Sequence, residues 1–270
     1  MTITRVGLIL CAGLAASSVA GSATADAQRR RPAKATLAPS ALRSANVEAA
    51  ITAAQQLGKS KSHKAGGELL DALAMGLHPL VASAALDALR SHAKQNAFDV
   101  VSFYMNHRSA KVRSSALGVM AMLSDKRAKA QVLGALGDGH RSVRAAAAEV
   151  LAAKKEKRAI EPLMILLQKG DKASAPALAA LATPDLARAL GELIGSAPDG
   201  LLARCLGLIL IRPDFKPEEA RVEVVKTLGK IPGNDSLEQL TNYLGAIPEK
   251  PPRDSRIEAE RIIEARLGGA

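Results

Sequence analysis

A period of 31 residues runs through most of this chain and constrains its fold more than any other feature. Val81, Val112 and Val143 share one column of it. Ala85, Ala116, Ala147 and Leu178 share another, and Ala88, Val119, Val150 and Leu181 a third. Val101, Val132, Leu163 and Ile194 keep the same spacing. Self-similarity at a period of this size specifies a stacked array, in which each unit buries its apolar face only against its neighbours.

Within a unit the apolar positions are Val112, Ala116, Leu117, Val119 and Met120, then Val143, Ala147, Ala148, Val150 and Leu151 in the next copy. That spacing covers one face of a 3.6-residue helix. A second helix follows, read from Ala128, Val132 and Leu136, and again from Ala159, Leu163 and Leu167. Gly137-Asp138-Gly139 and Thr183-Pro184-Asp185 mark joints, with Thr183 and Asp185 offering N-cap oxygens. No useful stretch alternates with period two, so strands are not expected. The spacing predicts about 14 helices over residues 45–267.

The echo falters after Ile211, at Arg212-Pro213-Asp214-Phe215-Lys216-Pro217, and resumes with Ala220, Val224, Val225 and Leu228. Ala220 lies 15 residues beyond Cys205, which stands in the Val81 column. This predicts a half-repeat break at 212–217, with a helix added or lost and a change in stack direction. It divides the array into a block at 45–211 and a block at 212–270. In the last helix, Arg256, Glu258, Glu260, Arg261 and Glu264 surround Ile257, Ile262 and Ile263, a polar outer face suited to a cap.

The start of the chain reads as an address. Arg5, an apolar run from Val6 to about Ala20, and the small residues Ala25 and Ala27 around Asp26 predict a signal peptide over 1–27, cut after Ala27. The apolar run is shorter than the roughly 20 residues that span a membrane, so no transmembrane segment is expected after its removal. Cys11 sits too early in the apolar run, and behind too large a residue in Leu10, for a lipoprotein signal. Export to a bacterial periplasm or envelope follows. Cys205 then stands alone, without a disulfide framework, and reads as a small core residue. Residues 28–44 are rich in Arg, Pro, Ala and Ser and are expected to form a basic disordered tether.

Positive charge gathers in the N-terminal half. Residues 28–64 hold eight Lys and Arg against Glu48 alone, and residues 65–168 hold fourteen against nine acids. Residues 169–270 hold fourteen against fifteen. Such a field bears on partners and not on fold.

The segment Gly137-Asp138-Gly139-His140-Arg141-Ser142-Val143-Arg144 through Leu151 resembles the signature of HEAT-like repeats, as does Val112-Arg113 with Ala116-Leu117-Gly118. Ala159-Ile160-Glu161-Pro162-Leu163 resembles the start of that family's other helix. The nearest kind is the short bacterial repeat grouped with phycobilisome lyases. His107 replaces the signature Asp in one copy, and Ala82 and Ala175 replace the Arg in others. The resemblance implies a right-handed α-α superhelix, or HEAT-like solenoid. It also implies a structural ladder in which Arg113 and Arg144 hydrogen-bond a turn carboxylate such as Asp138.

Catalytic chemistry lacks a signature. The histidines at 63, 78, 92, 107 and 140 fall in turns and helix ends with no zinc-binding spacing, though His107 and His140 lie near successive turns. Phosphate loops and nucleophile elbows are missing, so no catalytic residue, metal or cofactor is assigned. Between 107 and 158, twelve basic residues face four acids, on turns that a stack would align along two edges. Arg108, Lys111, Arg141, Lys154, Lys155 and Arg158 are the candidate partner-binding residues. The first-type helices present small outward side chains, Ser83, Ser114, Gly118, Ala145, Pro176 and Ala180 with Asp87 and Glu149, suiting a close-packed partner segment. The expected function is a non-catalytic exported scaffold for protein–protein interaction that favours acidic partners. Nucleic-acid or anionic-polymer binding through the same ridges is the runner-up. Aromatic residues number five, which disfavours single-strand stacking. A lyase-type enzyme, the third reading, would need a convergent polar cluster.

Overall fold

Apolar columns repeating at 31 residues become buried columns in the three-dimensional structure. The computed structural model describes residues 39–268 apart from His63 and Lys94. It holds fourteen α-helices and, among the described residues, no strand. These are α1 (Val47–Lys59), α2 (Ala65–Ala74), α3 (Pro79–Leu89), α4 (Phe98–Met105), α5 (Ala110–Met120), α6 (Lys126–Gly134) and α7 (Arg141–Ala153). There follow α8 (Ile160–Gln168), α9 (Ser174–Leu181), α10 (Pro184–Gly191), α11 (Asp199–Leu210), α12 (Glu218–Lys230), α13 (Asn234–Ala246) and α14 (Asp254–Leu267). The expected signal peptide and most of the expected tether lie outside the described residues. The end of the tether is described and is ordered: Pro39–Arg43 forms a 3-10 turn that packs on α1 and α2 and buries Leu42. Leu42, with partly buried Ala41 beside it, seats that end against the core.

The helices sort into two layers. Each odd-numbered helix packs on the next odd one, from α1 through α13. Among the even helices, α4, α6 and α8 make at most marginal contact with one another, whereas α12 packs closely on α10 and α14. Over the first repeats the odd layer is therefore the shorter, inner arc. Val81, Val112, Val143 and Cys205 are all buried, and Ser174 and Ser236 continue their column. Each of these serines satisfies its hydroxyl on a turn carbonyl, Asp171 at 2.6 Å and Ile231 at 2.9 Å. Burial of Cys205 pushes its thiol up to about 12.

Close helix approach explains several small residues. A Cβ on Gly58 would lie 2.9 Å from the Ala88 Cα, backbone of the neighbouring helix α3. Helix starts are capped locally: Asn46 accepts from the Glu48 and Ala49 amides, Asp125 from Arg127, and Thr183 from Leu186. Helix ends leave orphan carbonyls, and side chains of following helices or turns reach back to several of them. Tyr104 donates to Leu73 O at 2.6 Å, Arg212 to the carbonyls of Ala179 and Ala182, and Arg266 to Gly229 O and Ile231 O.

The segment 212–217 is where the fold departs from expectation. It is an ordinary joint: α11 packs on both α9 and α13, and α12 on both α10 and α14. No helix is added or lost. Val225 in α12 lies 31 residues after Ile194, so the second-layer column runs on, with Val225 fully buried. The apparent half-unit offset arises from measuring a second-layer helix against a first-layer column. Buried Arg221 ties this joint, donating to Phe215 O at 2.8 Å, Leu210 O at 3.3 Å and Arg212 O at 3.2 Å.

Candidate binding surface

Parallel stacking of α3, α5, α7 and α9 brings their N-terminal turns onto one edge. Two arginines one repeat apart, Arg113 and Arg144, fasten it. Arg113 Nη1 donates to the carbonyls of His107 and Arg108, and Arg144 Nη1 to those of Asp138 and Gly139. The other faces of the guanidinium groups reach forward to the next turn. Arg113 makes a bidentate pair with Asp138, both bonds at 2.7 Å. Arg144 donates from Nε to Asp171 Oδ2 at 2.6 Å. Arg144 thus meets Asp138 only through its carbonyl, and its carboxylate partner is Asp171. The Gly-Asp pair at 137–138 recurs at 170–171, and that was the available signal; its 33-residue offset hid it from a 31-residue comparison. The Arg113 hydrogen bonds hold the Asp138 carboxyl below its ordinary range, and Asp138 in turn raises Arg113.

Three histidines complete the edge. His78 Nδ1 accepts from Leu80 N at 3.4 Å, His107 Nδ1 from Ser109 N at 3.0 Å and His140 Nδ1 from Ser142 N at 3.3 Å. His78 and His140 cap the starts of α3 and α7, whereas His107 bonds the amide of Ser109, the residue that precedes α5. His107 and His140 thus each bond within their own turn. Among the described residues no group of three His, Cys, Asp or Glu stands close enough to hold a metal ion.

The six candidate partner-binding residues divide between two edges. Arg108, Lys111 and Arg141 belong to the N-terminal edge. Lys154, Lys155 and Arg158 sit past the far end of α7, which at about 1.5 Å per residue is roughly 20 Å away. Lys155 closes α7 in the left-handed region, at φ 52°. Arg158 is held by Glu156 at 2.9 Å, and Arg127 by Asp125 at 2.9 Å. With Arg113 and Arg144, four of the twelve basic residues between 107 and 158 are engaged in ion pairs. The other eight, Arg108 and Lys111 among them, are exposed and outside the ion pairs.

The inner face is less open than the sequence implies. Asp87, Glu149, Pro176 and Ala180 are exposed, but Ser83 is buried and Gly118 lies beneath Arg90, whose Nε would stand 3.1 Å from an added Cβ. An open cleft of about 550 Å³ lies on the N-terminal edge between α7 and α9, lined by Leu136, Arg141, Arg144, Leu166, Lys169 and Lys172 among others. Lys169 and Lys172 were not singled out from the sequence, because they lie just beyond the basic run at 107–158.

Residues 99–182, from α4 to α9, match the family model for HEAT repeats. No curated protein matches the chain. Among solved structures, it is similar to the complex of CpcE and CpcF of phycocyanin lyase from Nostoc sp. PCC7120, at 21% identity and a TM-score of 0.44. That likeness covers 85% of this chain and 93% of the other.

Proposed function

We propose that this chain is a non-catalytic scaffold, exported to a bacterial periplasm or envelope, that docks an acidic protein partner through its basic turn edges. One observation carries the reading: after the structural ion pairs are formed, eight exposed cations between 107 and 158 stand outside them, against a near-neutral second half. Charges placed this way steer association and weaken with salt. The address rests on Arg5, the apolar run and Ala27. No described helix is long and apolar enough to cross a membrane.

The test is a pull-down of tagged protein from envelope extract at low and high salt, beside a duplex-DNA shift assay. Replacing Arg108, Lys111, Arg141, Lys154, Lys155 and Arg158 with Gln is expected to abolish partner recovery while helicity persists. Unchanged recovery removes the electrostatic reading. Tight duplex binding at physiological salt promotes the nucleic-acid reading instead. Intact Met1 protein recovered from the cytosol refutes export.

A further inference from the structure

The cleft between the N-terminal ends of α7 and α9 is more selective than a basic ridge. Its two carboxylates, Asp138 and Asp171, are pinned by Arg113 and Arg144 and do not offset the remaining cations. That leaves Arg141, Lys169 and Lys172, all exposed and outside every ion pair, around one opening. Leu136 and half-buried Leu166 contribute an apolar floor beside them. Gly137, Ala145, Gly170 and Ala173 line the remainder, so no bulky side chain fills the space. At about 550 Å³ the opening lies in the size range of sites that hold a small organic ligand or a few peptide residues. On the opposite edge, the cavity near Lys154 is about 240 Å³ and is lined by Glu156 as well as Lys129, and a larger opening of about 650 Å³ beside Lys59 and Lys61 has no leucine or other large apolar side chain in its lining.

We infer that this cleft is the docking point of the partner, and that it takes a short acidic peptide segment carrying an apolar side chain. The carboxylates of that segment would meet Arg141, Lys169 and Lys172, and its apolar side chain would lie on Leu136 and Leu166. A guanidinium free of other partners presents a planar fork matched to carboxylate, and two lysines add charge from either side. The apolar floor favours a peptide over an inorganic anion, which would leave that surface wet. The inference rests on the acidic-partner reading given above and narrows it to one site.

The experiment measures fluorescence anisotropy of a labelled octapeptide of Glu with one central Leu, titrated with the chain from Gln28 to Ala270 at physiological salt. Three variants are compared. Arg141→Gln/Lys169→Gln/Lys172→Gln removes the three cations of the cleft that stand outside ion pairs. Lys154→Gln/Lys155→Gln/Lys157→Gln removes the same charge from the opposite edge. Ala145→Trp fills the cleft without changing charge. Binding is expected to weaken about tenfold or more in the first and third, and less than about threefold in the second. Equal weakening in the first and second overturns the cleft and leaves the acidic-partner reading in place. Full binding by Ala145→Trp, with helicity intact by circular dichroism, also overturns the cleft. Competition by millimolar inorganic phosphate as effective as unlabelled peptide overturns the peptide assignment. If the unaltered chain binds no acidic peptide, the acidic-partner reading itself falls.

Discussion

Single side chains in this protein earn their places through the carbonyls and carboxylates they satisfy. Arg113 shows it most fully, holding two turn carbonyls and both oxygens of Asp138 with side-chain exposures of 16% and 13%. Arg113→Ala would strand a largely buried carboxylate, and a loss of about 2–4 kcal/mol is expected in urea unfolding at pH 7. The sign with pH follows from Asp138, whose carboxyl is depressed from its ordinary 3.8 chiefly by the Arg113 hydrogen bonds. A depressed carboxyl contributes stability above the unfolded pKa and loses it as pH falls through the folded value. The gap between the unaltered protein and Arg113→Ala should therefore be full at pH 7 and shrink below about pH 4. A gap unchanged at pH 3 would remove the carboxylate from the explanation. Cys205 offers a second measurement at this scale. Fully buried and raised to about 12, its thiol should ignore a disulfide reagent at pH 8 until urea unfolds the chain. Rapid labelling of the native state would contradict the packing of that column.

At the scale of helices, spacing between neighbours decides what sequence propensity cannot. Glycine inside a helix ordinarily costs about 1 kcal/mol relative to alanine. Gly67, exposed in α2 with nothing within 4 Å of an added Cβ, should follow that rule, and Gly67→Ala should stabilise by up to about 1 kcal/mol. Gly58 in α1 should reverse it. Its Cβ would press on the backbone of Ala88, so Gly58→Ala is expected to lower the melting temperature despite better propensity. Matched stabilisation of both variants would show that α1 and α3 are further apart than described. Gly58 lies in the last turn of α1 and Gly67 in the first turn of α2, and what stands opposite each sets the sign of its substitution.

Across the whole molecule, cooperativity depends on how each repeat grips the next, because a stacked array has only neighbour contacts. The joint at 212–217 is the instructive case. Its proline content reads as a break, yet Phe215 is buried and Arg221 holds three joint carbonyls with no carboxylate of its own. Arg221→Met keeps the apolar stem and removes the donors, leaving those carbonyls unpaired at about 1–3 kcal/mol each at most. Calorimetry of this variant should split one unfolding transition into two, and protease should then cut near Asp214. A single unshifted transition would mean the joint is held by packing alone.

The sequence by itself determined the helical class, the repeat length and most of the buried columns. A 31-residue recurrence of apolar positions on a helical face has few other physical solutions, and it placed Val81, Val112 and Val143 in the core. It also brought Arg113 to Asp138 through the resemblance of the repeats. Tertiary structure alone decided the rest. Residues 33 apart, Asp138 and Asp171, became equivalent because turns of different length end on the same edge. Ser83 and Gly118 left the inner surface because neighbouring side chains and helices cover them. The continuity through 212–217 was also set there, since only packing shows which layer a helix joins. Lys169 and Lys172 likewise reached Arg141 because α7 and α9 lie side by side, a proximity that linear spacing does not encode.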